Sequence, residues 1–166
     1  MTKSTTHDTD NNLSDLVDFG DQIIPASTKQ QRVNDVFRSV ASSYDIMNDV
    51  MSLGIHRVWK DQLMNMIAPA PDHQLIDLAG GTGDIARRFL KRGGKAALIC
   101  DINTDMMMAG RERPDLHPYG HALQWVAGDA SALPLADQSA DVVTISFGLR
   151  NVTDRDAALR QALRIL

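Results

Sequence analysis

Residues 77–84 read Asp77-Leu-Ala-Gly-Gly-Thr-Gly-Asp84, and this stretch decides the fold. It follows Gln74-Leu-Ile, which is typical of the start of a buried strand, and precedes Ile85-Ala-Arg-Arg-Phe-Leu90, which is typical of a helix. A glycine-rich turn between a strand and a helix lets the backbone approach a ligand where a Cβ atom would not fit. The stretch therefore predicts a ligand-binding turn, although a tight connection that binds nothing is the alternative.

An acid at the end of the next strand supports the ligand-binding interpretation. The apolar run Ala96-Ala-Leu-Ile-Cys100 is followed by Asp101. Nucleotide-binding folds place a carboxylate roughly 20 residues beyond the turn, against ribose hydroxyls. The alternative is a solvated cap of the next helix. Turn and acid together predict a cofactor that contains a nucleoside, whereas Cys100, inside the strand, is expected to be a buried and unreactive thiol.

Composition restricts the class of protein. A length of 166 residues suffices for one domain with a substantial core, and 43% hydrophobic content is typical of a globular protein. The net charge of −4 argues against a nucleic-acid partner held by phosphate contacts. The single cysteine excludes internal disulfides and fits a reducing compartment. With no apolar run of membrane-spanning length and no visible secretory signal, a cytoplasmic protein is expected.

The chain divides into three expected regions. Residues 1–18 are rich in Thr, Ser, Asp and Asn, which predicts a disordered tail. Residues 19–70 are expected to form an N-terminal helical region, with an apolar stripe from Lys29 onwards, a short Met-rich segment and a helix over about 56–67. Residues 71–166 alternate strands and helices, which predicts a parallel sheet with helices on both faces.

The predicted elements of the α/β region follow one another closely. Strands are predicted near 74–79, 96–100, 122–127 and 141–147, and helices near 84–92, 104–111 and from 154 onwards. The last helix ends in Ala162-Leu-Arg-Ile-Leu166, and nothing after it would cover the sheet beyond the fourth strand. We therefore expect an incomplete cofactor-binding domain in a chain cut short.

The glycine turn itself contains two polar candidates. Gly80, Gly81 and Gly83 are expected to form the turn. Thr82 either caps the following helix or contacts a ligand. Asp84 is a candidate N-cap, which would stabilise the helix by about 1 kcal/mol.

Polar side chains also follow the other predicted strands, at the sheet edge where open parallel sheets bind ligands. Asp77 either holds a cationic amino group of the cofactor or braces the loop. Asp129, after the third strand, either accepts a hydrogen bond from an adenine amino group or closes an Asx turn. Arg150 and Asn151, after the fourth strand, would face the same crevice.

The helical region before the first strand contributes a further set of polar residues. These are Tyr44, Asp45, Asn48, His56 and Arg57. They are either solvated or close to a substrate. No spacing of His or Cys suggests a metal site, and the sequence has neither a Gly-x-Ser-x-Gly turn nor a phosphate loop.

Three stretches occur together: Val36-Phe-Arg-Ser-Val-Ala-Ser-Ser-Tyr-Asp-Ile-Met-Asn-Asp-Val-Met-Ser-Leu-Gly-Ile-His-Arg-Val-Trp-Lys60, the turn Asp77–Asp84, and Ile145-Ser-Phe-Gly-Leu-Arg-Asn-Val-Thr-Asp154. They resemble the ubiquinone/menaquinone biosynthesis C-methyltransferase family over roughly Phe19 to Leu166. The first and last stretches are specific to this family, whereas the turn marks the wider class of S-adenosylmethionine-dependent methyltransferases. Family members continue with three more strands, so the C-terminal strands of the sheet are expected to be missing.

This resemblance implies a Rossmann-like class I fold, S-adenosylmethionine as the cofactor, and methylation of a ring carbon. The acceptor would be demethylmenaquinol or a 2-methoxy-6-polyprenyl-1,4-benzoquinol, in menaquinone or ubiquinone biosynthesis. By resemblance, the cofactor-contacting positions are Thr82, Asp101, Asp129, Ala130 and Ser146, to which Asp77, Gly81 and Gly83 of the turn are added. Tyr44 and Asn151 are the expected substrate contacts.

The expected catalytic residues are Arg150 and His56. A quinol hydroxyl has a pKa of roughly 10, like Tyr, and a neighbouring cation lowers it by about 1–3 units. Arg150 fits that role, and either His56 or a water takes the proton.

The implied substrate is a polyprenylated quinol, over which the helical region 19–70 would form a lid. Peripheral contact with the inner membrane from the cytoplasm is therefore expected. A quinone-biosynthesis complex or a homo-oligomer is the expected assembly. Four methionines either face the prenyl tail or pack in the core: Met47, Met51, Met64 and Met66. The alternatives are another small-molecule methyltransferase, acting on oxygen or nitrogen, and a non-catalytic cofactor-binding or assembly fragment. A dinucleotide dehydrogenase shares the turn and the acid but not the flanking stretches.

Overall fold

The structure is a computed structural model, and it describes residues 16–19, 22–25 and 55–166. The first two segments are strands β1 (Leu16–Phe19) and β2 (Gln22–Pro25), which pair antiparallel with Phe19 opposite Gln22. Only two residues separate the strands, Gly and Asp, which are types that two-residue hairpins prefer.

This hairpin was not predicted. The tail expected over residues 1–18 does not include Leu16–Asp18, which lie in β1, and the expected helical region begins with β2. Short runs of adjacent apolar residues, Leu16-Val17 and Ile23-Ile24, favour strands once a partner strand is two residues away. The stripe from Lys29 and the Met-rich segment lie outside the described residues.

The rest of the chain forms a parallel sheet with helices. Its elements are α1 (Ile55–Ile67), β3 (Gln74–Leu78), α2 (Asp84–Lys91), β4 (Ala96–Asp101), α3 (Thr104–Arg111), β5 (Leu123–Ala127), β6 (Val142–Thr144) and α4 (Arg155–Ile165), with 3₁₀ turns at His117–Ala122 and Leu149–Asn151. The four strands are parallel in the order β5-β4-β3-β6. The predicted α/β architecture is therefore confirmed.

Strand β6 is shorter than the predicted 141–147. The pairing with β3 covers Val142–Thr144 only, and the chain then leaves the sheet. Phe147 has φ = +61°, a left-handed conformation that no strand accommodates. The residues after Thr144 thus turn over the edge of the sheet instead of extending it.

The two central strands of the parallel sheet, β3 and β4, are largely buried on both faces, as helices on both sides require. Leu75 packs with α1 and α2, whereas the next residue, Ile76, packs with α4 on the opposite face. Cys100 is buried on the second face, and its burial raises the pKa of the thiol to about 11. The expectation of a buried thiol is confirmed. Met64 is fully buried in the core, whereas Met66 is 84% exposed.

The order of the strands determines where a ligand can bind. From β3 the chain proceeds through α2 to β4 on one side, and β6 later joins β3 on the other side. A crevice opens at the carboxyl ends of the strands where the order reverses in this way. Within the described part of the chain, no helix is long and apolar enough to cross a membrane.

Candidate functional site

A crevice of about 1060 Å³, including its open mouth, lies at this reversal point. Most of its walls come from the loops that follow β3, β4, β5 and β6, and α1 adds one side chain. The lining residues are Lys60, Asp77, Ala79–Thr82, Asp84, Ile85, Asp101–Asn103, Met106, Gly128–Ala130, Ser146–Gly148 and Asn151–Thr153.

Two glycines of the turn are required by close approach. A Cβ atom on Gly80 would lie 2.7 Å from Oδ2 of Asp77. Gly83 has φ = +84°, and a Cβ atom there would lie 2.8 Å from Cδ1 of Ile99 in β4. Gly83 is the N-cap of α2 and does not line the crevice. Gly83 therefore serves the expected cofactor site by allowing the backbone turn, and it does not itself contact the crevice.

Asp84 is not the N-cap that the sequence suggested. It is the first residue of α2, and its carboxylate lies 2.9 Å from Lys60, 3.1 Å from Arg87 and 3.1 Å from Arg88. Although partial burial opposes ionisation, these cations hold the pKa of Asp84 far below its ordinary value. The capping prediction failed because Gly83 occupies the cap and cations on two helices hold the acid.

Asp77 has one oxygen bound and one unpaired. Oδ1 accepts a hydrogen bond of 2.7 Å from Oγ1 of Thr144 in β6. Oδ2 is buried and has no partner among the described residues. Burial raises the pKa of Asp77 to about 7, against the opposing effect of the Thr144 hydrogen bond. The residue thus braces the sheet with one oxygen and offers the other to a donor in the crevice.

Asp101 ends β4 and ties the glycine turn to it. Its Oδ2 accepts from the backbone N–H of Gly81 at 2.7 Å, and its Oδ1 accepts from that of Asn103 at 2.8 Å. Burial raises the pKa of Asp101, while these backbone hydrogen bonds oppose the shift. The cap of α3 is Asn103, not Asp101, since the Asn103 side chain accepts from the N–H of Met106. Asp101 thus accepts from three backbone N–H groups, those of Gly81, Ile102 and Asn103, and its carboxylate keeps a lone pair for a ligand hydroxyl.

Asp129 fits both interpretations offered for it. Oδ1 accepts from the N–H and the Oγ–H of Ser131, each at 2.8 Å, which closes an Asx turn. The side chain is nevertheless exposed and lines the crevice beside Ala130. Ser146, after β6, lines the opposite wall.

The structure brings together most of the residues predicted for the site. Those that line the crevice are Asp77, Gly81, Thr82, Asp101, Asp129, Ala130, Ser146 and Asn151. Arg150 is exposed on the short 3₁₀ turn and lies outside this lining, one residue before Asn151. His56 does not line it either. Tyr44 lies outside the described residues.

An aromatic cluster at the mouth of the crevice was missed from sequence. It consists of His56, Trp59 and Phe147. The Phe147 ring is 4.6 Å from His56 and 6.0 Å from Trp59, measured between ring centroids. Trp59 is 50% exposed, and Phe147, 39% exposed, itself lines the crevice. Its left-handed backbone is strained for an aromatic residue, and such strain is concentrated at functional sites.

Lys60, Asn103 and Met106 are further lining residues that sequence reasoning missed. Lys60 ends the first of the three signature stretches, which was the one available signal. In the part of the chain that the structure describes, no three His, Cys, Asp or Glu side chains are grouped to hold a metal ion.

The architecture is a Rossmann-like α/β fold. It aligns with a putative S-adenosyl-L-methionine-dependent methyltransferase from Methanococcus maripaludis at a TM-score of 0.66 and 20% identity, over 78% of this chain and 58% of that one. It aligns with the cyclase SpnF at a TM-score of 0.65 and 17% identity, over 82% and 56%. Likeness at these identities shows the fold alone, and it confirms the predicted fold class.

The chain belongs to the ubiE/COQ5 methyltransferase family, whose model matches residues 26–166. It is 53% identical over 149 residues to the ubiquinone/menaquinone biosynthesis C-methyltransferase UbiE of Ruegeria sp. (strain TM1040), over 89% of this chain and 60% of that protein. It is 51% identical over 154 residues to the enzyme of the same name from Cereibacter sphaeroides (strain ATCC 17029 / ATH 2.4.9), over 92% and 62%. The chain thus spans about 60% of the length of the curated relatives it matches.

Proposed function

We propose that this protein binds S-adenosylmethionine and takes part in the C-methylation of a polyprenylated quinol, either demethylmenaquinol or a 2-methoxy-6-polyprenyl-1,4-benzoquinol. One observation carries the proposal: the buried, unpaired Oδ2 of Asp77 faces a crevice built from strand-end acids, in a chain of the ubiE/COQ5 methyltransferase family. An unpaired buried acceptor is costly unless a ligand supplies its donor.

The residues present fit this cofactor. Its methionine portion carries an ammonium group, which the unpaired Oδ2 of Asp77 would accept. Asp101 would accept from the ribose hydroxyls, and Asp129 from the adenine amino group. Gly80 leaves the space above Asp77 open, because a Cβ atom there would meet the carboxylate.

The chemistry requires a nucleophilic ring carbon. When bound, S-adenosylmethionine supplies a methyl group that its sulfonium has already activated. Ionising a quinol hydroxyl would push charge onto the adjacent ring carbon and make that carbon nucleophilic toward the methyl group. After methylation, loss of the ring proton from that carbon and return of a proton to the oxygen would restore the aromatic quinol. The protein's task is to ionise the hydroxyl, align the ring and exclude water.

Arg150 is the proposed cation for this ionisation, and His56 is the proposed base. No hydrogen bond or ion pair among the described residues fixes the Arg150 side chain, which is long enough to turn toward the mouth beside Asn151. Arg150 cannot act as a base itself, since its pKa exceeds about 12. His56 lies against Phe147 at the mouth, next to where a ring would enter.

The aromatic cluster supports an aromatic, lipid-linked acceptor. His56, Trp59 and Phe147 present rings at the mouth, and Ile55 and Val58 of the same helix are about half exposed. Such a surface suits a quinol ring with a prenyl tail, and it would bring the protein into peripheral contact with a membrane from the cytoplasmic side.

The test combines binding and turnover. The purified protein is titrated with S-adenosylmethionine by calorimetry and then incubated with that cofactor and each unmethylated quinol, with mass spectrometry of the products. We expect binding and a C-methylated quinol. Binding with methylation only of an oxygen or nitrogen acceptor would assign another methyltransferase, and binding without any transfer would assign the non-catalytic alternative.

A further inference from the structure

The charges that line the crevice are unequal. Among the described lining residues, four carboxylates face a single cation, Lys60; the carboxylates are Asp77, Asp84, Asp101 and Asp129. Lys60 belongs to α1, outside the sheet, and reaches the crevice where α2 begins. Its side chain is only 16% exposed, and Nζ lies 2.9 Å from Oδ2 of Asp84. A cation held this far from solvent is placed to bind an anion.

Asp84 alone does not account for Lys60. The same carboxylate is already paired with Arg87 and Arg88, each at 3.1 Å. Three cations, Lys60, Arg87 and Arg88, therefore share the single carboxylate of Asp84. Of these cations, Lys60 is the member that lines the crevice.

Lys60 also lines the same crevice as Asp77. Burial dominates the raised pKa of Asp77, and the positive charge of Lys60 opposes that shift, so the two side chains are within electrostatic reach. Asp77 offers an unpaired acceptor and Lys60 offers N–H donors. An acceptor and a cationic donor in one crevice match the two groups of an α-amino acid, its ammonium and its carboxylate.

We propose that Lys60 binds the α-carboxylate of the cofactor's methionine portion, so that helix α1 makes the protein select a cofactor with an intact amino acid. This inference rests on the proposed function. The bond is charge-assisted, with a lysine N–H donating to a carboxylate oxygen. Asp84 then holds the lysine stem in place, as a positioning residue shared with Arg87 and Arg88.

Decarboxylated S-adenosylmethionine isolates the carboxylate, because it keeps the sulfonium, the nucleoside and the ammonium. Calorimetric titrations with S-adenosylmethionine and with the decarboxylated compound are made on the wild type, Lys60→Met, Lys60→Arg and Lys91→Met. Lys91 is an exposed lysine of α2 outside the crevice, and it serves as the matched control.

We expect Lys60→Met to weaken S-adenosylmethionine binding by roughly ten- to hundredfold, the usual range for losing a hydrogen bond to a charged group. Its affinity for the decarboxylated compound should stay within about twofold of the wild type, Lys60→Arg should retain most of the preference, and Lys91→Met should change neither value.

Equal weakening for both ligands would overturn the proposal, since it would show that Lys60 only supports the fold through Asp84. Unchanged affinity of Lys60→Met for S-adenosylmethionine would also overturn it. These failures differ from failure of the proposed function, in which the wild type would bind neither ligand.

Discussion

Replacing Asp77 by Asn should remove a pH dependence of cofactor binding that the wild type shows. Burial raises the pKa of Asp77 to about 7, so the carboxyl of the ligand-free protein is largely protonated below that pH. The cofactor ammonium pairs with the ionised form. Cofactor binding is therefore coupled to ionisation of Asp77. The affinity should rise with pH until the ligand-free protein already carries the ionised carboxylate.

The magnitude follows from the ionised fraction. With a pKa of about 7, half of the free protein is ionised at about pH 7 and roughly 1% at about pH 5, so affinity should fall about fiftyfold between them. The cofactor's own amino group titrates near 8, which makes this lower range the informative one. Calorimetry on wild type, Asp77→Asn and Asp129→Asn gives the comparison, since Asp129 is an exposed carboxylate of the same crevice.

Asp77→Asn should bind more weakly than the wild type at about pH 7 and change by no more than roughly twofold down to about pH 5. Asp129→Asn should keep the wild-type slope. A wild-type affinity that is independent of pH over this range would refute the reasoning, and so would an Asp77→Asn variant that retains the slope.

The same shift predicts the stability of the ligand-free protein. Because the folded pKa of Asp77 is raised from 3.8 to about 7, its favourable contribution is present below the unfolded pKa and is lost as the pH rises through 7. The loss amounts to about 4 kcal/mol at most, from about 1.4 kcal/mol per pKa unit. Urea unfolding at several pH values should show this decline in the wild type and its absence in Asp77→Asn.

Three other substitutions test the turn, the proposed cation and the mouth. Gly80→Ala should weaken S-adenosylmethionine binding and lower the free energy of unfolding by about 1–3 kcal/mol, because the new Cβ atom would lie 2.7 Å from Asp77 Oδ2; calorimetry and urea unfolding measure both. Arg150→Ala should leave cofactor affinity unchanged, lower the turnover of quinol and move its pH profile upward by about 1–3 units. The matched variant Arg160→Ala should do neither, and unchanged turnover of Arg150→Ala would exclude the phenolate-stabilising role. Phe147→Gly should keep or improve stability, since it relieves the left-handed backbone, while raising the KM for quinol roughly tenfold at unchanged cofactor affinity; an unchanged KM would show that the ring is structural.

The acids at the strand ends of the candidate site were largely predictable because each is local in sequence to its strand. Asp77 lies within β3, Asp101 ends β4 and Asp129 follows β5, so locating each strand also located its acid. Parallel pairing then brings those carboxyl ends to one edge. No long-range contact had to be known for this part of the prediction.

The errors occurred where a long-range contact outweighed a local rule. A capping rule assigned Asp84 to the N-cap of α2. In the structure a left-handed Gly83 occupies that cap, and Asp84 pairs with Lys60 of α1, which lies 24 residues earlier in the sequence. The pattern around Phe147 predicted a strand to residue 147, but β6 ends at Thr144. Strand propensity describes a pleated surface and cannot foresee that the chain turns over a crevice.

The division between predictable and unpredictable residues has a functional consequence. The cofactor-side acids belong to the sheet that all folds of this type share, and the cyclase SpnF aligns with that sheet at a TM-score of 0.65. Sheet-derived groups therefore identify a kind of cofactor crevice and not a reaction. Helix α1, which precedes the sheet, carries Lys60, His56 and Trp59. The Phe147 ring, from the loop after β6, lies against the rings of His56 and Trp59. One helix thus contacts both the amino-acid end of the crevice and its aromatic mouth. If Lys60 is held by the cofactor carboxylate, the aromatic cluster is held in place by the same helix, and cofactor binding should precede and strengthen quinol binding. Quinol affinity measured with S-adenosylhomocysteine present and absent should differ in the wild type and differ less in Lys60→Met, while equal affinities in the wild type would show that α1 does not connect the two ends.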